Sequence, residues 1–176
     1  MIRLEVRTHL VIFSSELLDE INLKIICMLT RDASRPIVEI AKVLEISDAT
    51  FHMHVRRLVA AGIIRKFTIS TDSRLLGYDH LAFMGINMKE GSADEVTATL
   101  SQFDEILEIH ERHGRFDLLL KVHARNLEEM RDIAVNKIRR LRQITDAESM
   151  VLLKTTKEEQ SVSLKTDISD ATAAAT

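Results

Sequence analysis

The stretch IAKVLEISDATFHMHVRRL, residues 40–58, decides how this chain is read. Ile40, Ala41 and Leu44 recur at helical spacing, and so do Phe51, Val55 and Leu58, so the stretch holds two amphipathic helices. Between them stands Glu45-Ile46-Ser47, and Ser47 is a good N-cap for a helix running to about Ala61. Two helices joined by so short a turn have the outline of a helix-turn-helix. Upstream, Leu17, Leu18, Ile21, Ile25, Ile26 and Leu29 recur at threes and fours, which predicts a preceding helix from Glu16 to about Arg31. Pro36, the single proline, punctuates the next turn and is expected in the first turn of a helix over 38–44. Downstream, Gly62 suits the left-handed position past a helix end, and residues 63–69 read as a strand, the wing of a winged helix.

With Phe51, Val55 and Leu58 turned inward, the opposite face of the third helix presents Asp48, Ala49, His52, Met53 and Arg56, with Thr50 and Arg57 on its flanks. An α-helix fits the major groove of DNA, its N-terminal residues meeting base edges and its later ones phosphates. Asp48, Ala49, His52 and Met53 are therefore candidates for base contact, and Arg56 and Arg57 for base or phosphate. Arg65 and Lys66 on the wing are candidates for phosphate, and the N–H groups beside the Ser47 cap suit a phosphate as well. A solvated surface helix carries the same pattern, so the residues alone leave both readings open.

The composition narrows the classes. Of 176 residues, 45% are hydrophobic and 29% charged, the balance of a soluble globular protein, and with 4% aromatics the cores must be aliphatic. Cys27 is the only cysteine, which excludes an intramolecular disulfide and a cysteine-based zinc site and favours a reducing, cytoplasmic setting. The apolar run at 10–13 is too short for a signal peptide, and no stretch approaches the ~18 apolar residues of a membrane span. Residues 1–74 carry 11 basic and 9 acidic side chains against 13 and 18 in the remainder, so a nucleic-acid surface must be a local patch in the first half. No Walker loop, GxSxG or HExxH is present, so neither an enzyme nor a cofactor is expected. His52 and His54 lie two apart on a helix, and His110 and His113 three apart on a strand, so neither pair suits one metal ion, and no metal site is expected.

The second half alternates differently. Strands are expected over 81–88, 106–113, 118–124 and 150–153, with helices over 93–103 and from the cap Asn126 through Ile138. This β-α-β-β-α-β order is the ferredoxin-like arrangement, whose sheet packs helices on one face and leaves the other free for a partner. The fold class is α/β (α+β). It comprises an N-terminal extension (1–15), a winged helix-turn-helix (16–70), a linker (71–80), a ferredoxin-like βαββαβ domain (81–155) and a disordered tail (156–176).

Several segments, in order along the chain, resemble the Lrp/AsnC, or feast/famine, family of transcription regulators. LDEINLKII (18–26) is similar to its opening helix, IAKVLEISDAT (40–50) to its second helix and turn, and VRRL (55–58) with GIIR (62–65) to the end of its recognition helix and the wing. LLGY (75–78) resembles its connector and GRFDLLLKV (114–122) its second-domain signature. The resemblance implies a homodimer, often assembled into tetramers or octamers, that binds double-stranded operator DNA. A two-fold dimer presents two recognition helices, so a pseudo-palindromic operator is expected.

It also implies an amino acid or related small effector at the loop Gly114, Arg115, Phe116 and Asp117. Glycine permits close approach of a ligand to the backbone, and Asp117 suits an ammonium group. A tight hairpin explains the same residues without a ligand. The family's last strand brings hydroxyl side chains to the effector where this chain has Asp146 and Glu148. Two carboxylates repel an amino acid's own carboxylate unless neutralised, which points to a cationic effector, a divalent metal or none. Two other functions fit the residues: an architectural protein that wraps DNA with low sequence specificity, and a regulatory α/β ligand-binding module without DNA binding.

Overall fold

The computed structural model describes residues 17–159, 161, 162 and 164. The expected extension at 1–15 and most of the expected tail lie outside these residues. The chain divides into two compact units, one holding residues up to Ile69 together with those from Glu159, the other spanning Ser70–Glu158.

In the first unit, α1 spans Glu20–Arg31, starting later than the periodicity predicts. Its start is set by Asp19, whose carboxylate accepts the Asn22 N–H at 2.7 Å and so satisfies one of the orphan donors of a helix N-terminus. Helix α2 is Ile37–Val43, and Pro36 occupies its N-cap position rather than its first turn. Glu45 turns the chain with φ 56°, and Ser47 then caps α3, Asp48–Ala60, by accepting the Thr50 N–H at 3.1 Å. Ile25, Ile40, Phe51 and Leu58 are sealed between the three helices, each worth about 1.5–3 kcal/mol of burial. Cys27 is buried on α1 with Sγ 3.9 Å from the Leu164 carbonyl oxygen, as suits a small core residue.

Helix α3 stops at a Schellman motif. Ile63 N–H donates to Leu58 O at 3.0 Å and Gly62 N–H to Val59 O at 2.9 Å, with Gly62 at φ 74°. The wing departs from expectation: no strand forms over 63–69 among the described residues. Ile63 and Ile64 fold back onto the helical core, while Phe67 and Ile69 are exposed, and an extended segment without a hydrogen-bonding neighbour is no strand.

In the second unit, β1 is His80–Met88, α4 Ala93–Leu100, β2 Ile106–Glu111, β3 Leu118–Ala124 and β4 Ile144–Val151. Between β3 and β4, helix α5, Leu127–Asp132, continues as a π-helical turn over Ile133–Ile138. The sheet is antiparallel in the order β2-β3-β1-β4, the ferredoxin-like topology. Ala82, Met84 and Ile86 of β1 and Leu118, Leu120 and Val122 of β3 point to one side. There they pack with Val96, Leu100, Met130, Ile133 and Ile138 from the helices. Two strand expectations are corrected. The last strand begins at Ile144 rather than 150, because as an edge strand it buries only Ala147 and carries almost no apolar signal. The alternation expected over 106–113 is broken by an irregularity between Ile106 and Glu108, which pairs Ile106 with Val122 but Glu108 with Lys121.

The other face of the sheet is closed at one point by Phe116. Its ring lies where a Cβ on Gly85 would be, 2.3 Å from the nearest ring carbon, so glycine at 85 is a packing requirement. Gly85→Ala is expected to cost about 1–3 kcal/mol by overpacking. Denaturant midpoints would measure it, and Phe116→Leu in the same chain should restore part of the loss. Glu105 is held below the ordinary carboxylate range, chiefly by the Lys137 ammonium bonded to it and against the opposing effect of burial. A depressed folded pKa stabilises above the unfolded value and is lost as pH falls through the folded one. Glu105→Gln should therefore lower stability at neutral pH, with urea melts of variant and parent converging as the pH falls through the depressed folded-state pKa.

Candidate nucleic-acid interface and effector loop

Helix α3 buries Phe51, His54 and Leu58, half-buries Thr50 and Val55, and leaves its other side chains to solvent. Asp48, Ala49, His52, Met53, Arg56 and Arg57 are exposed. Ala49, Met53, Arg56 and Ala60 follow at spacings of four, three and four, which makes one continuous outer stripe. The Thr50 hydroxyl lies 2.8 Å from that of Ser47, so the two are bonded to each other at the helix cap, and each keeps capacity for a further hydrogen bond. His52 packs the edge of its ring against Phe51, with centroids 6.2 Å apart.

The cations on this unit differ in a way that matters for phosphate binding. Lys24 is bonded to Glu20 and Arg35 to Glu39, each one helical turn away. Arg56 and Arg57 on α3, and Arg65 and Lys66 just beyond it, are exposed and form no ion pair with any described residue. Four unneutralised cations over eleven residues give a local positive patch in a chain of net charge −3.

His54 is the residue sequence reasoning missed. Paired with His52 it suits no metal ion, but its place three residues after Phe51 and four before Leu58 puts it on the inward stripe. It is 8% exposed and its Nδ1 lies 2.8 Å from Oδ1 of Asn22 on α1, itself 2% exposed.

The β2–β3 loop collects most of the effector candidates. Gly114 has φ 126°, a conformation that glycine takes without strain. Phe116 is buried against Gly85, and the Arg115 guanidinium lies 4.9 Å from the centre of its ring. Arg115 also bonds Glu148 of β4 at 2.5 Å. Asp117 accepts the Met88 N–H at 2.9 Å through Oδ2, so it holds the hairpin onto β1. Asp146 accepts the N–H of Ala147 at 2.9 Å. A hollow of about 660 Å³ lies beside the loop, lined among others by Met88, Lys89, Gly91, Arg112, His113 and Asp117. Asp117 is the only one of the six candidates on that wall, whereas Arg115, Phe116 and Glu148 gather on the open sheet face.

Further along that face, Lys121 bonds Glu158 and, at 3.1 Å, Glu108, whose other oxygen lies 2.9 Å from His110 Nε2. The Glu108 carboxyl is held low by the His110 bond and then by Lys121, with burial opposing. Burial pulls the Lys121 ammonium down, but its two carboxylate partners outweigh that and leave it raised. His123 is pushed down, first by burial and then by Lys121. Among the described residues, no three histidine, cysteine, aspartate or glutamate side chains gather to hold a metal ion, and no helix is long and apolar enough to cross a membrane.

Comparison with known proteins covers both units. Residues 18–65 match the winged helix-turn-helix DNA-binding family and residues 81–162 the Lrp/AsnC ligand binding domain. The chain is 35% identical over 148 residues to the HTH-type transcriptional regulator FL11 of Pyrococcus horikoshii, spanning 84% of this chain and 97% of that protein. It is 32% identical over 135 residues to the regulatory protein AsnC of Haemophilus influenzae, spanning 76% of this chain and 90% of the relative. The structure of E. coli AsnC superposes with a TM-score of 0.77 at 26% identity, over 83% of this chain and 98% of that one. With both units matched and the relatives covered almost end to end, the chain belongs to the Lrp/AsnC family of DNA-binding transcriptional regulators.

Proposed function

We propose that α3 enters the major groove of double-stranded DNA with its outer stripe, Ala49, Met53 and Arg56, toward the base edges. Arg57, Arg65 and Lys66 then hold flanking phosphates. The observation that carries this reading is that Arg56, Arg57, Arg65 and Lys66 are exposed without ion-pair partners among the described residues, on and just beyond a capped helix with one bare face. Phosphate neutralisation by such cations supplies affinity, and the helix face supplies sequence discrimination. The chain works in the cytoplasm by binding rather than by catalysis.

Two copies joining through the open sheet face would present two such helices to a pseudo-palindromic operator, with tetramers or octamers built from those dimers. Leu107, Met150 and Val151 leave apolar surface exposed on the sheet strands, and the Glu108–Lys121–Glu158 network neutralises the charge beside them. A small effector, an amino acid or a molecule like one, binds at the β2–β3 loop. The Arg115–Glu148 pair supports this, because it supplies the neutralisation that an acidic last strand requires. Asp117 can meet an ammonium through Oδ1, which has no hydrogen bond among the described residues.

Arg56→Ala is expected to weaken binding to an operator duplex by about tenfold or more and to reduce the salt slope by about one if it contacts phosphate. Gel shifts across a range of salt would read both, and unchanged affinity in a folded variant would remove Arg56 from the interface. For the effector, one of the common amino acids at a hundred times its Kd should stabilise the protein by about 2.7 kcal/mol, visible as a thermal shift. Asp117→Asn should abolish that shift. If none of the amino acids raises Tm, the effector assignment fails while the DNA assignment stands.

A further inference from the structure

Asn22 and His54 are the only polar or charged residues buried among the described residues, and they are bonded to each other. An amide oxygen has no proton to give, so Nδ1 of His54 donates and Oδ1 of Asn22 accepts, at 2.8 Å. The bond spans 32 residues and joins the first turn of α1 to the middle of α3. Its α1 end is fixed, because the Asn22 N–H is held by the Asp19 cap.

The other contacts between these helices are apolar: Ile25 and Met28 from α1, Phe51 and Leu58 from α3. Such contacts are non-directional and tolerate small rotations of one helix on another. A hydrogen bond weakens steeply once its angle is lost, and a buried donor without a partner costs the full desolvation of that group. Rotating α3 about its axis would therefore repack the apolar contacts and, beyond that cost, orphan both polar groups. The same rotation would swing Met53 and Arg56, on the opposite side of α3, away from any base they read.

We propose that the Asn22–His54 hydrogen bond sets the rotation of the recognition helix, which makes His54 a positioning residue for base readout by side chains it does not touch. The proposal rests on the reading of α3 as the recognition helix.

The test uses the full chain and two probes: a duplex enriched by the wild-type protein from a random-sequence pool, and a scrambled duplex of equal composition. The double variant Asn22→Leu/His54→Leu removes both polar groups and leaves no orphan, so stability should be largely kept. Affinity for the scrambled duplex should hold, since phosphate contacts remain. The ratio of specific to scrambled binding should fall about tenfold or more, the scale of one misread base pair. A folded double variant with an unchanged ratio overturns the positioning role. Should the double variant not fold, Asn22→Asp and Asn22→Ser decide. Aspartate keeps an acceptor in place and should keep the ratio, serine is too short and should lose it, and equal ratios overturn the proposal. A wild-type chain that enriches no sequence overturns instead the recognition-helix reading beneath it.

Discussion

With Phe51 and Leu58 sealed against Ile25 and Ile40, α3 has one face committed and one face bare. One-sided burial of this kind organises both units. In a protein with so few aromatics, cohesion comes from aliphatic side chains, and short elements can bury only a stripe or a face. The sheet obeys the same constraint: Met84 and Ile86 go to the helices, while Phe83 and Gly85 are left to the other face. Each unit therefore offers one surface that its own core does not use, a helix stripe in the first and a sheet face in the second.

Charge distinguishes these two surfaces. On the first unit the cations at 56, 57, 65 and 66 are left without ion-pair partners among the described residues, which suits a polyanion. On the sheet face the cations are matched. Lys121 sits between two carboxylates and Arg115 meets Glu148, so charges there are largely cancelled before any partner arrives. A surface whose charges are paired internally can be covered at lower desolvation cost than one whose charges are bare. The uneven charge along the sequence becomes, in the structure, a difference in pairing rather than merely in sign.

The helices were legible because their signals are local. Ser47 and Asn126 cap the helices they were expected to cap, and Gly62 takes the left-handed turn that ends α3. What escaped the sequence depends on neighbours far along the chain. The edge position of β4 explains why its polar residues read as loop, and the irregularity at Leu107 explains why β2 does not alternate. The wing failed as a strand for the related reason that strand character needs a second strand. His54 had a readable position on the inward stripe, but a lone histidine gives no hint of its partner. Asn22 lies 32 residues upstream on another helix.

The β2–β3 loop carries this dependence on distant neighbours furthest. Antiparallel pairing sets Gly85 opposite Glu148 on one face of the sheet. Because residue 85 has no side chain, Phe116 can lie against β1, and its ring then carries the Arg115 guanidinium. From there Arg115 reaches Glu148, so a carboxylate that looks misplaced in the sequence is answered by a cation 33 residues away. Each step requires the one before it. A side chain at 85 would lift the ring, displace the cation and leave Glu148 uncompensated beside Asp146. The charge of Glu148 is answered only while glycine occupies a position that no part of the loop sequence reveals.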